Sequence, residues 1–235
     1  MPLARSPPRP LGVNAPAVLD ARLWFPDPQT APTAPPFAGL VAVGGDLSLP
    51  RLLLAYRSGI FPWSVRPITW WSPDPRAVFA WDRFHVPRSL RRVLRQAPFT
   101  ITRDRAFGDV MAACAEPRPG RRHSWISREF RAAYARLHAA GHAHSLECWR
   151  GDCLVGGIYG VSIGGLFAGE SMFHRTTDAS KVALCHLVEH LRARGFALFD
   201  IQMLTPVTAM LGAVTVSRQE YLGRLAQAIP LPREF

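Results

Sequence analysis

Lysine is nearly absent from this chain of 235 residues: of 28 Lys and Arg residues a single one, Lys181, is lysine. Acid is scarce too, with 17 Asp and Glu residues against those 28 cations and a formal net charge of +11. A drift from Lys to Arg exchanges one cation for another and creates no net charge, so the excess has its own meaning. It favours a polyanionic partner such as nucleic acid. Long apolar runs are missing, and no stretch of about 18 apolar residues exists to span a bilayer as a helix. The opening MPLARSPPRPLGVNAPAV has no continuous hydrophobic region and is broken by prolines. Residues 1–18 are therefore expected to be a disordered leader rather than a signal peptide. Cys114, Cys148, Cys153 and Cys185 form no Cys-x-x-Cys pair and have no His partners at zinc spacing. Without an export signal they are expected to be reduced thiols in a cytoplasm. A glycine-rich P-loop is also lacking, which speaks against ATP chemistry, and no metal site is expected.

What is present is enough apolar material for a core, 48% of residues. Ser48 and Pro50 open a helix that Gly59 stops. From Trp63 through WWSPDPRAVFAW the prolines enforce extended backbone, because a residue before proline avoids the helical region. A seam at Arg76 to Trp81 separates a small N-terminal domain, residues 19–78, from a larger one, residues 79–235. The larger part alternates. A helix over VPRSLRRVLRQA leads to a strand FTITRD, and a helix over AFGDVMAACAE is followed by one that Ser127 caps. Strands over residues 144–149, 153–163 and 166–173 are joined by glycine-containing turns. A helix over 178–194, a strand ALFDIQ, a short helix after Thr205-Pro206 and a last helix behind the capping residues Ser217 and Glu220 complete the chain. Mixed strands with helices between them give an α+β fold.

Three constellations carry chemistry. Arg88, Arg91, Arg92 and Arg95 share one helical face and are spaced to track a phosphate backbone, and Trp63, Trp70, Trp71 and Trp125 offer stacking surfaces for unpaired bases. Leu184, Leu187 and Leu191 line one side of the helix after Asp178, with Phe167 and Phe173 on the strand before it. Between those phenylalanines sits Glu170, a carboxylate that needs a cation in apolar surroundings; Lys181 or a cationic substrate is the candidate. Strict alternation places Glu170 opposite Phe167 and Phe173, and a bulge at Gly169 would reunite them. Last, Asp200 and Gln202 end an apolar strand two apart, on the same side. The amide can accept a hydrogen bond from an amine, and the carboxylate behind it either orients the amide or takes the proton.

The motifs GGDL at Gly44, GIFPW ending at Trp63, WWSPDPR at Trp70, SWIS around Trp125, GHAHSLE at Gly141, GGIYG at Gly156, GESMF at Gly169, ASK at Ala179, DIQ at Asp200 and LGA at Leu211 occur in this order. Together they resemble the leucyl/phenylalanyl-tRNA–protein transferases over most of the length, leaving out the proline-rich leader. The resemblance implies a small N-terminal domain joined to a mixed-sheet domain like that of the GNAT acyltransferases. It implies transfer of Leu or Phe from aminoacyl-tRNA to the N-terminal Arg or Lys of acceptor proteins, which marks them for degradation. By the same resemblance Ile158, Phe167, Leu184, Leu187, Leu191 and Phe199 form the pocket for the aminoacyl side chain. Trp63 and Trp125 lie near the terminal adenosine and the ester, Arg88 to Arg95 bind tRNA, and Glu170, Asp200 and Gln202 form the reaction centre. Two positions depart from the family, Val207 where a His is usual and Met210 where a Ser is usual.

An aminoacyl ester is already activated, so this chemistry needs no cofactor. A monomer without membrane attachment is expected. Two alternatives stay open from the sequence: an acyl-CoA-dependent GNAT-type N-acyltransferase and a non-catalytic tRNA-binding protein. Against the first, the connection HRTTDAS between strand and helix has no glycine for a pyrophosphate.

Overall fold

The computed structural model describes residues 16–117 and 124–235. Most of the expected leader, residues 1–15, therefore lies outside the described residues. Its end does not fit the expectation: Ala17 and Val18 belong to strand β1 (Ala17–Leu19), which runs parallel to β2 (Leu40–Gly44). The buried side chain of Leu19 anchors this strand to the core, which outweighs the polar, proline-rich composition preceding it.

Strands β1 and β2, with β3 (Phe61–Val65) and β4 (Ile68–Trp71), form a four-stranded sheet in the order β1-β2-β4-β3. Helix α1 (Leu49–Arg57) comes after β2, with Ser48 at its N-cap and a proline in its first turn. Gly59 ends it at φ 75°, where a side chain would also meet Tyr221 at 2.9 Å and Leu222 at 2.6 Å. Only glycine satisfies both the left-handed backbone and that close approach.

The chain changes sheets between Trp71 and Arg76. Strand β5 (Arg76–Phe79) already belongs to a seven-stranded sheet of order β11-β5-β10-β9-β8-β7-β6. Its other members are β6 (Thr100–Arg103), β7 (Ala143–Arg150), β8 (Cys153–Ile163), β9 (Leu166–His174), β10 (Leu198–Gln202) and β11 (Ala213–Val216). β9 and β10 pair in parallel, while the other neighbours run antiparallel. No separate sequence signal marks β11, a four-residue edge strand that exists because β5 offers it a partner.

Helices cover both faces of this sheet. α3 (Phe107–Ala115) and α4 (Arg128–Ala139) share a core with α1 and the small sheet, built on Tyr56, Trp70, Phe130, Tyr134, Tyr159 and Phe173. α2 (Arg88–Gln96) and α5 (Ala179–Ala193) enclose a second core on Phe79, Ile158, Phe167, Leu184, Leu187 and Phe199. The Ser127 hydroxyl accepts from the Phe130 N–H and caps α4. The short α6 (Pro206–Met210) is capped reciprocally by Thr205 and Thr208, and Ser217 caps α7 (Arg218–Ala228). The architecture is α+β.

Candidate active site

Glu170 breaks the alternation of β9. Tyr159 of β8 faces Ser171 while Gly160 faces Gly169, which leaves Glu170 as the extra residue of a β-bulge, next to the glycine where one was expected. Beyond the bulge the later residues of β9 point to the other face. Phe167 packs with the α5 leucines, whereas Phe173 packs with the α3 and α4 core, so the two phenylalanines do not share a side as expected.

Nor does Lys181 neutralise Glu170, because it pairs with Asp178 on the preceding turn of chain. Neutral donors take that place. Tyr56 donates to Glu170 Oε1 at 2.8 Å, Tyr134 donates to Oε2 at 3.4 Å, and Gln202 Nε2 donates to Oε1 at 3.2 Å. The two tyrosine hydroxyls are also in short hydrogen-bond contact with each other, so their two protons serve three contacts, and a tyrosine that donates to the other gives up its bond to Glu170. Burial raises the Glu170 carboxyl to about 7, opposed by the Tyr56 hydrogen bond and reinforced by the negative charge of Asp200. Burial and the Glu170 charge hold both tyrosines well above the usual phenol value, so they stay donors.

Asp200 is fully buried and surrounded by donors. Arg76 grips it with both prongs, Nε to Oδ1 at 2.9 Å and Nη2 to Oδ2 at 2.6 Å. Tyr221 donates to Oδ2 at 3.0 Å, and the Gln202 backbone N–H donates to Oδ1 at 2.9 Å. Burial works against the Arg76 charge, but Asp200 beside it outweighs that and holds the guanidinium above its ordinary value. Gln202 has a left-handed backbone, φ 56°, and the β10 register against β5 shifts between Asp200 and Gln202. The expected same-side placement of the two therefore fails: Ile201 and Gln202 both line a cavity that Asp200 does not line.

That cavity, of about 170 Å³, is walled by Phe61, Pro62, Trp63, Trp125, Glu170, Ile201, Gln202, Met203 and Thr205. It brings together Trp63, Trp125, Glu170 and Gln202, four positions that the sequence singled out far apart in the chain. Trp63 packs edge-on to Trp71, and Trp125 edge-on to Phe130 of α4. Ile158, Phe167, Leu184, Leu187, Leu191 and Phe199 are gathered into one buried apolar cluster. Gly169, next to Glu170, would meet the Phe199 ring at 3.0 Å if it carried a side chain, so this cluster abuts the bulge.

Arg88, Arg91, Arg92 and Arg95 are exposed on α2, whose Leu90 is buried. Among the described residues none of the four forms an ion pair. Val207 packs against the second core and Met210 is 45% exposed. No group of three His, Cys, Asp or Glu residues able to hold a metal occurs among the described residues. Among them, too, no helix is long and apolar enough to cross a membrane.

Sequence reasoning missed Tyr56, Tyr134, Arg76 and Tyr221. The tyrosines sit on apolar helix faces, where they resemble ordinary core. Arg76 did leave a signal, an arginine opening the apolar run RAVF.

The profile described as Leucyl/phenylalanyl-tRNA protein transferase matches residues 78–226, and that of the family's N-terminal domain matches residues 45–74. A leucyl/phenylalanyl-tRNA–protein transferase of Shewanella baltica (strain OS155) is 50% identical over 205 residues, 86% of each chain. One from Tolumonas auensis is 50% identical over 211 residues, 89% of each chain. Among solved structures, L-PGS from Bacillus licheniformis superposes with a TM-score of 0.40 at 10% identity, covering 77% of this chain and 70% of that one. With both profiles matched in order and half of the aligned residues identical over nearly the full length, the chain belongs to the leucyl/phenylalanyl-tRNA–protein transferase family.

Proposed function

We propose that this protein transfers leucine or phenylalanine from aminoacyl-tRNA to the N-terminal Arg or Lys of acceptor proteins in the cytoplasm, tagging them for degradation. The observation that supports this most is the cavity where Trp63, Trp125, Glu170 and Gln202 converge. It offers aromatic faces for the adenosine end of the tRNA, a carboxylate for a cationic acceptor and an amide for the attacking amine. The apolar cluster of Ile158, Phe167, Leu184, Leu187, Leu191 and Phe199 takes the aminoacyl side chain, and the arginines of α2 take the phosphate backbone.

An α-amine with a pKa of about 8 is partly neutral near pH 7 and attacks once desolvated. Gln202 uses its Nε2 on Glu170, which leaves Oε1 to accept an N–H of the amine and hold it in line. Asp200 has no role as a base, since two guanidinium prongs, a phenol and a backbone N–H occupy its oxygens. Glu170, on the cavity wall and held by uncharged donors, docks the ammonium and takes its proton. The amine nitrogen bonds to the ester carbonyl, the carbon–oxygen bond to the ribose breaks, and the ribose oxygen leaves with a proton. Much of the rate comes from holding amine and ester together in near-attack geometry.

The deciding experiment offers the purified chain labelled Phe on tRNA and, separately, labelled acetyl-CoA, with a peptide that begins with Arg. Transfer of Phe alone is expected. Transfer of acetyl alone, or tRNA binding without transfer, would replace this function with one of the two alternatives.

A further inference from the structure

Arg76 ties together several supports of the site. Besides its two bonds to Asp200, Nη1 donates to the Gly59 carbonyl at 3.2 Å and Nη2 donates to the Tyr221 hydroxyl at 3.3 Å. Its guanidinium lies 4.8 Å from the centre of the Phe61 ring and 4.3 Å from that of Tyr221. Phe61 itself lines the cavity. One planar group thus joins the glycine that ends α1, the cavity wall of β3, the end of β10 and helix α7. It is 1% exposed and is not among the residues that line the cavity, so it is out of reach of substrate.

What it holds is directional. Asp200 Oδ1 accepts from Arg76 Nε on one side and from the Gln202 backbone N–H on the other. That second bond ends on the left-handed residue itself, Gln202, at the β10 irregularity, a conformation unfavourable for a glutamine and kept only where surroundings impose it. We propose that Arg76 is a positioning residue for the transfer reaction: by fixing both oxygens of Asp200 it holds the left-handed backbone of Gln202 and so the place of the Gln202 amide on the cavity wall. This rests on Gln202 holding the attacking amine. Lysine cannot replace Arg76, because a compact ammonium cannot meet two coplanar carboxylate oxygens and a carbonyl on its far side at once.

The test is single-turnover transfer of labelled Phe from tRNA to an Arg-initiated peptide by the full chain, with KM for both substrates and thermal stability measured alongside. Arg76→Lys keeps the charge beside Asp200. Its saturated rate is expected to fall roughly 100-fold, the scale of a small misplacement at a reacting centre, while both KM values stay near wild type. Introduced into Gln202→Ala, it should cost nothing further, because the group it positions is gone. A role in stability alone would instead lower the amount of folded protein and leave the rate per folded molecule unchanged. That result, a wild-type rate in Arg76→Lys, or losses that multiply in the double variant would each overturn the proposal. Should Arg76→Lys not fold, Tyr221→Phe carries the test: it removes one donor from Asp200 without touching a charge. A several-fold loss that vanishes in the Gln202→Ala background supports the clamp, and an unchanged rate overturns it. A wild-type rate in Gln202→Ala would overturn the role of Gln202 and the clamp with it, whereas loss there with none in Arg76→Lys removes the clamp alone.

Discussion

Arg76 and Asp200 stand 124 residues apart in sequence and meet as a two-pronged ion pair that solvent does not reach. The pair joins the first strand of the large sheet after the small one, β5, to β10, the strand that ends in Gln202 on the cavity wall. A buried pair of this kind adds little net stability over an apolar substitute, but removing one partner strands a charge and costs about 3–5 kcal/mol. Its presence beneath a cavity is better explained by the geometry it imposes than by stability.

For Asp200→Asn and Gln202→Ala, the chemical step is expected to slow while the affinity for donor tRNA stays near wild type, since neither group faces α2. The double variant should lose little more than the worse single one, as members of one unit are non-additive. Rapid-quench single-turnover assays and filter binding measure the two quantities. Wild-type transfer in both single variants would leave catalysis to the ester and shape alone.

The Glu170 carboxyl rises from 4.5 to about 7 on folding, so the folded chain keeps a proton that the unfolded chain gives up between those values. Stability from this group is fully present below the unfolded value and is lost as pH rises through about 7. Thermal melting from about pH 5 to about pH 8 should therefore fall more steeply for the native chain than for Glu170→Gln. Transfer should rise through the same region in the native chain, as the carboxylate becomes able to take the ammonium and its proton; in Glu170→Gln the step at about 7 should disappear and only the rise from the acceptor amine's own deprotonation at about 8 should remain. Parallel melting curves in the two proteins would contradict the placement of Glu170.

Changing Arg88, Arg91, Arg92 and Arg95 together to Ala should weaken tRNA binding and flatten its dependence on salt, because fewer counterions are released. Folding should hardly change, since all four side chains are exposed and form no ion pairs among the described residues. Binding measured across a salt series decides it: an unaltered slope would take α2 out of the tRNA contact.

Donors carrying Phe or Leu should outcompete those carrying Val or Ala, each missing methylene losing about 1 kcal/mol or more in an apolar pocket. Leu187→Phe should crowd the cluster and shift preference toward smaller donors. Competition between differently charged tRNAs reads this directly, and an equal loss for all of them would assign Leu187 to packing only.

Much of this protein was legible before folding was considered. Ser48, Pro50 and Gly59 marked the ends of α1 and Ser127 the start of α4, alternating and helical apolar patterns pointed to the α+β class, and four positions of the cavity wall stood out by their chemistry. Those signals are local, carried by residues within a turn or a strand of each other. What sequence alone did not decide were the relationships made across the fold. Lys181 looked like the cation for Glu170, yet its short reach is satisfied by Asp178 three residues away, while Glu170 is met by tyrosines from α1 and α4. Phe167 and Phe173 were expected on one face, and one extra residue in β9 sent them to opposite cores. Asp200 was expected beside Gln202, and a left-handed backbone turned one toward the cavity and the other toward Arg76. Pattern in the chain determines which elements form, whereas a bulge or a buried ion pair depends on which elements meet, and that is fixed only when the two sheets close on their shared core.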